Sequence, residues 1–148
     1  MFSKRKNVYQ IEEGKELAPR FDADGLLPVV TTDSTTGEVL MLGYMNEEAL
    51  KKTVETRLAH YFSRSRKLLW KKGDTSGLYQ HVVEIRIDDD QDAVWLRVRV
   101  DGGASCHVGY RSCFYRAITD DGALEFKEKE KVFDPEEVYP NAENPTRI

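Results

Sequence analysis

With 148 residues, 40% of them hydrophobic, the chain is long enough for one core and too short for two comfortable domains. A net charge of −4 and a pI near 5.5 argue against a protein that holds nucleic acid, since such binding relies on many Lys and Arg contacts to phosphate. No run approaches the roughly 20 apolar residues of a membrane span, and MFSKRKNVYQIEEGKE lacks the apolar core of a signal peptide, so no membrane partner and a cytoplasmic setting are expected.

In chain order, Phe2 to Arg20 alternates charge with small apolar residues without a clean period and reads as a short helix or an arm across a partner. Leu26 to Thr32 and Glu38 to Tyr44 are β-rich runs joined by Asp33-Ser34-Thr35-Thr36-Gly37, which has the turn chemistry of a hairpin. Pro28 points to an edge position for the first strand. Asn46 suits a helix cap and Glu47 and Glu48 a first turn. Ala49, Leu50, Val54 and Leu58 then form one apolar face, which should lie across the sheet.

His60 to Phe62 reads as another strand, ending in Ser63-Arg64-Ser65-Arg66. The stretch Lys67 to Gly77 sets Trp70 beside Lys71 and Lys72 and then opens a loop with Gly73 and Gly77. Arg64, Arg66, Lys71 and Lys72 are the densest cationic group in an acidic chain. Guanidinium forks match phosphate oxygens, the hydroxyls of Ser63, Ser65, Thr75 and Ser76 add donors, and the two glycines let backbone come close. Trp70 can stack on a base. A solvated strand end with Trp70 in the core has equal weight on composition alone.

The stretch from Glu84 to Arg116 carries the most chemistry. A strand to about Ile87, an acidic turn and a second strand of Ala93 to Val100, with Val94, Leu96, Val98 and Val100 alternating, lead into a glycine loop at Asp101-Gly102-Gly103. Glu84, Asp88, Asp89, Asp90 and Asp92 are potential oxygen ligands, and both cysteines, Cys106 and Cys113, follow with His107 directly after the first. The spacing Asp88-x-Asp90-x-Asp92 gathers carboxylates around a hard cation, although a solvated acidic turn shows the same pattern. Six residues separate Cys106 from Cys113, a wider spacing than in most structural zinc knuckles, and buried inert thiols are the plain alternative. His107 is a general base, a metal ligand or a structural histidine, while His60 and His81 rank as structural or substrate-lining. Phe114 to Ile118 reads as a last core strand and Ala123 to Phe126 as a short one. Lys127 onward, charged and proline-bearing, reads as an extended arm or disorder.

Seven ordered stretches resemble the phosphoribosyl-AMP cyclohydrolase family of histidine biosynthesis. They are Gly25-Leu26-Leu27-Pro28, Gly37-Glu38-Val39-Leu40-Met41, Met45-Asn46-Glu47-Glu48-Ala49-Leu50, Ser63-Arg64-Ser65-Arg66, Trp70-x-Lys72-Gly73-x-x-Ser76-Gly77, Asp88-x-Asp90-x-Asp92-Ala93 and Cys106-His107-x-Gly109-x-x-Ser112-Cys113-Phe114. The resemblance spans about Phe21 to Ile118. It implies an α+β fold, mainly antiparallel β-sheet with one or two helices, in an intertwined homodimer that builds its zinc site from both subunits. Residues 1–118 would be the catalytic domain, with an N-terminal arm at 1–20, and 119–148 a charged C-terminal extension. The implied activity is zinc- and magnesium-dependent: water adds at C6 of the purine of 1-(5-phosphoribosyl)-AMP and the N1–C6 bond opens. By position, Cys106 and Cys113 would be zinc ligands, His107 the proton-transfer group and Asp88, Asp90 and Asp92 the magnesium ligands. The nucleotide, the one small-molecule partner implied, would meet Ser63, Arg64, Ser65, Arg66, Trp70, Lys72 and Ser76.

One departure stands out. The family resemblance leads one to expect Asp-Cys-Asp-x-Asp, with that cysteine as a third zinc ligand, where this chain has Asp89 in Asp88-Asp89-Asp90-Gln91-Asp92; against the interval the resemblance implies, that from Asp89 to Cys106 looks one residue longer than is usual. A carboxylate can bind zinc, yet replacing a thiolate with a hard oxygen shifts preference toward iron or manganese. Three readings follow, in this order: a cyclohydrolase with altered metal use, a hydrolase of another purine-like nucleotide, or a non-catalytic nucleotide- or metal-binding regulator that uses Ser63 to Arg66.

Overall fold

The computed structural model describes all 148 residues, in the order α1 (Val8–Glu13), β1 (Leu27–Asp33), β2 (Val39–Met45), α2 (Glu47–Thr56), β3 (His60–Ser63), β4 (Leu68–Lys71), β5 (Gln80–Ile87), β6 (Val94–Val100), β7 (Arg116–Ile118), β8 (Leu124–Phe126) and α3 (Pro135–Val138). Period-two alternation buries Leu27, Val29 and Thr31 of β1 and Val94, Leu96 and Val98 of β6 on one face. The four-stranded sheet runs β2-β1-β6-β5, with β1 antiparallel to β2 and parallel to β6, and β5 and β6 forming a hairpin around the acidic turn. Two ribbons, β3–β4 and β7–β8, complete the α+β architecture. No helix is long and apolar enough to cross a membrane.

Helix α2 begins where its cap does: Asn46 Oδ1 accepts the Ala49 N–H at 2.9 Å, and Glu47 and Glu48 occupy the positive end of the helix dipole. It ends at Arg57, which turns left-handed at φ 59°. Leu58 therefore lies outside the helix, bridging to His81, rather than on its apolar face. Ala49, Leu50 and Thr53 bury that face, and the helix packs mainly on β3, with lesser contact to β2 and β4.

Four expectations change. Pro28 does not mark an edge, because β1 is an inner strand; pairing with β6 begins at Val29↔Val94, so the missing N–H falls before that ladder starts. Leu68 to Lys71 is a strand, not the approach to a loop, and Trp70 pairs with Tyr61 across the ribbon with ring centroids 5.2 Å apart. The β7 strand is no part of the core, since Ile118 is 79% exposed and β7 pairs only with β8. The tail after Lys127 forms a short helix and a chain segment that returns to the protein surface.

The N-terminal arm lies against its own acidic turn. Gln91, buried and left-handed at φ 57°, accepts the Ala18 N–H at 2.8 Å and donates to the Ile11 carbonyl at 3.0 Å. A second buried polar group sits under β3: the Tyr61 hydroxyl donates to Gln80 Oε1 at 2.6 Å and lies 2.7 Å from the Thr31 hydroxyl. Tyr61→Phe leaves the Gln80 carbonyl oxygen without its buried donor, so a loss of about 1–3 kcal/mol in unfolding free energy is expected, with an unchanged denaturant m-value. An unshifted urea midpoint would show that this hydroxyl contributes nothing.

Candidate active site

The loop from Ser105 to Cys113 is held from three sides. Cys113 N–H donates to the Leu40 carbonyl of β2 at 2.7 Å, and Ser112 Oγ donates to the neighbouring Val39 carbonyl at 2.7 Å. Gln80 Nε2 donates to Ser105 Oγ at 3.1 Å, which extends the Thr31–Tyr61–Gln80 chain into the loop. From the third side Lys72, buried, donates its ammonium to the Ser105 carbonyl at 2.5 Å. Lys72, placed by sequence among the phosphate-binding cations, thus lines the cavity from beneath the cysteine loop.

Cys106 is buried and Cys113 is exposed to the cavity. The two thiols share a hydrogen bond, which draws Cys106 down to about 6 and pushes Cys113 up; burial adds to the rise at Cys113. One proton on two sulfurs leaves a thiolate facing a thiol. Burial lowers the proton affinity of Lys72, opposed by Cys113 and Cys106. His107 is half-buried and lowered by burial and by Lys72, so its imidazole is neutral near pH 7; the Asn144 side chain lies against it and acts in the opposite sense. Its Nε2 is buried with no hydrogen-bond partner.

A cavity of about 800 Å³ opens over this loop, and Ser63, Arg64, Arg66, Trp70, Lys72, Ser76, His107 and Cys113 all line it. Thus one concavity collects residues from three separate sequence motifs. Ser65 is exposed and does not line the cavity; its hydroxyl lies 3.4 Å from Ser63 Oγ. The Arg64 guanidinium lies 4.0 Å over the Tyr44 ring, a contact that fixes its plane. His60 is buried and bonded through Nδ1 to the Leu58 carbonyl at 2.7 Å, and His81 meets Asp101 at 2.7 Å. Neither lines the cavity.

The acidic turn is a separate centre. Carboxylate oxygens of Asp88, Asp89 and Asp90 lie within 4.8 Å of one another and are exposed. Asp92 joins them: burial, then hydrogen bonds with Asp90 and Asp88, push its carboxyl up to about 6. Such crowding is what a hard cation relieves. Glu84 does not take part, because Arg97 at 2.7 Å and Arg86 hold its carboxylate on the sheet. Between the acidic turn and the cysteine loop runs the whole of β6, seven residues or roughly 20 Å at about 3.3 Å each. Asp89 and the cysteine pair therefore occupy opposite ends of a strand within one chain.

Sequence reasoning missed Tyr44, Ser105 and, in the C-terminal tail, Tyr139, Ala142 to Pro145 and Arg147, all of which line the cavity. Tyr44 and Ser105 carry no spacing signal, and the tail was hidden by its charged composition.

A family model described as phosphoribosyl-AMP cyclohydrolase matches residues 41–115. A Rhodopseudomonas palustris (strain BisA53) protein named phosphoribosyl-AMP cyclohydrolase is 56% identical over 133 residues, covering 87% of this chain and 90% of its own length. One of the same name from Caulobacter vibrioides (strain NA1000 / CB15N) is 59% identical over 125 residues, 84% of this chain and 89% of that protein. A third, from Nitrobacter hamburgensis, is 56% identical over 133 residues, at 87% and 90% coverage. These matches place the chain among the hydrolytic enzymes. Within them, it is a member of the phosphoribosyl-AMP cyclohydrolase family.

Gly109 explains how the tail reaches the site. At φ 108° its carbonyl accepts the Val132 N–H at 2.7 Å, and a Cβ built there would lie 2.4 Å from the Phe133 carbonyl oxygen. Gly109→Ala is expected to break this docking, speeding amide exchange at Val132 and proteolysis beyond it, while the sheet amides keep their protection. Parent-like exchange at Val132 would show that the contact is not made.

Proposed function

We propose that this chain hydrolyses 1-(5-phosphoribosyl)-AMP, opening the N1–C6 bond of its purine in histidine biosynthesis, and that it does so in the cytoplasm as a homodimer. The supporting observation is the single cavity that brings Arg64, Arg66, Trp70, the unpartnered Nε2 of His107 and the Cys113 thiol together, in a chain 56–59% identical to proteins of that name. Guanidinium groups from Arg64 and Arg66 hold phosphate, and Trp70 offers a face to the base.

The donor sets fit metals. A thiolate–thiol pair suits zinc, and Asp88, Asp90 and Asp92 offer the hard oxygens that suit magnesium. Since Asp89 lies at the far end of β6 from the cysteines, Asp89 of a second copy would complete the zinc set; exposed Phe114, Ile118 and Phe126 offer apolar surface for such a contact. Asp89 in place of a thiolate also favours the harder substitutes iron or manganese. When bound, the ion supplies Lewis-acid activation of water near neutral pH. His107, its imidazole neutral, takes one proton of the water that adds to C6 and delivers it to N1 as the N1–C6 bond breaks, while the second passes from the C6 oxygen to the exocyclic nitrogen, which leaves as the carboxamide NH2. Lys72 keeps Ser105, and with it Cys106, in place.

Metal analysis paired with ring opening followed by ultraviolet absorbance tests this reading. His107→Ala should retain metal and slow turnover by roughly 10²–10⁴-fold. Cys106→Ser and Cys113→Ser should lose metal and activity together, and Asp89→Cys should raise zinc affinity. Cysteine variants that bind metal and turn over like the parent would overturn the assignment. A folded, fully active monomer in sedimentation would overturn the shared site.

A further inference from the structure

The cations around the cavity are not equivalent. Lys72 is buried with its ammonium committed to the Ser105 carbonyl, and Lys71 is paired with Asp74 at 3.3 Å. Arg64 and Arg66 come from one turn, between β3 and β4. The remaining cation on the lining is Arg147, from the opposite terminus of the chain. Its side chain is 63% exposed and has only a loose pairing to Glu143 at 3.9 Å.

The segment that carries Arg147 is fastened to the cysteine loop rather than draped near it. Val132 N–H and Phe133 N–H both donate to the Gly109 carbonyl, three residues beyond Cys106, and the glycine leaves room for the Phe133 carbonyl. Arg111 of the same loop is paired with Glu128 at 2.7 Å, and Lys131 lies 5.9 Å over the Tyr110 ring. Downstream, Phe133 and Tyr139 rings pack at 6.1 Å, and the α3 turn redirects the chain so that Tyr139, Ala142, Asn144 and Arg147 reach the cavity. All of these lie outside residues 41–115, the part matched by the family model.

We propose that residues 139–147 form a wall of the substrate cavity and that Arg147 binds a phosphate of the nucleotide. The proposal rests on the cyclohydrolase reading for the identity of that nucleotide. A substrate with a phosphoribosyl group at each end of a purine presents two separated phosphates. One turn with Arg64 and Arg66 serves one of them; a cation from a different segment serves the other. A guanidinium is suited to this role because it stays charged and offers a planar fork to phosphate oxygens.

The full-length parent, Arg147→Ala and Arg147→Lys, and a chain ending at Tyr139 distinguish the outcomes. Two readouts are needed: steady-state KM and kcat for phosphoribosyl-AMP, and protection of residues 139–147 from protease by AMP. Arg147→Ala is expected to raise KM about tenfold, as for a partly solvated charge-assisted hydrogen bond, with kcat and metal content unchanged. Arg147→Lys should recover part of that loss, and the shortened chain should lose at least as much as Arg147→Ala. AMP should protect the segment in the parent and not in Arg147→Ala. Unchanged KM and unchanged protection in Arg147→Ala would overturn the proposal, as would a shortened chain with parent kinetics. A parent that shows Arg147-dependent protection by AMP but opens no phosphoribosyl-AMP would sink the activity and leave the phosphate contact standing.

Discussion

A buried file of hydrogen bonds, Thr31 to Tyr61 to Gln80 to Ser105, links the middle of the sheet to the loop that carries Cys106 and His107. All four side chains are buried, so none can exchange its partner for water, and removal of one strands the next. The cysteine loop therefore has little freedom to move relative to the sheet. Lys72 adds a second constraint. Its ammonium is costly to bury alone, and the Ser105 carbonyl, the Trp70 ring at 5.4 Å and the thiolate on the cysteine pair offset that cost together. The charge of the thiol pair and the burial of the lysine are thus mutually dependent, and a site that kept one without the other would be destabilised.

The acidic turn follows a different logic. Its carboxylates are exposed and repel one another, and local order comes from the backbone: Asp88 Oδ1 accepts the N–H groups of Asp92 at 2.9 Å and Ala93 at 3.1 Å. Gln91, pointing the other way, anchors the N-terminal arm beneath the turn. One residue thus turns inward among four acids that turn outward. Soft donors stand at one end of β6 and hard donors at the other, and the length of the strand keeps them apart.

Much of the sheet was legible because its signals are local. Alternation at Val94, Leu96 and Val98, the Asp33 to Gly37 turn and the Asn46 cap place β6, the β1–β2 hairpin and α2 within a residue or two of where they lie. The cationic cluster and the cysteine loop were legible as motifs, and the structure brings most of those residues to one cavity. What stayed hidden depends on partners distant in sequence. Pro28 looked like an edge residue because the parallel β1–β6 pairing joins residues more than 60 positions apart. Lys72 reads as one cation among several until its carbonyl partner is seen. The docking of the tail uses backbone groups at Gly109, Val132 and Phe133, and backbone hydrogen bonds leave almost no mark on composition.

The interval between Asp89 and Cys106 is constrained by register. Along β6 the pairing with β1 runs unbroken from Val29↔Val94 to Asp33↔Val98, and the irregularity on the other side belongs to β5, between Val82 and Glu84. An insertion inside β6 would turn every following side chain to the opposite face, exposing Leu96 and Val98 and burying Arg97. The length of the strand is therefore fixed, and the chain changes direction only in the turn Asp101–Gly103. Gly102 and Gly103 both adopt left-handed backbone, at φ 71° and 73°, and a Cβ on Gly102 would meet Leu78 at 2.3 Å. The chain leaves β6, makes this tight turn and enters Ala104 and Ser105 already buried, where Gln80 and Lys72 receive it. The cysteine loop is thus held by contacts to Leu40, Gln80 and Lys72, none of which involves the acidic turn at the other end of β6.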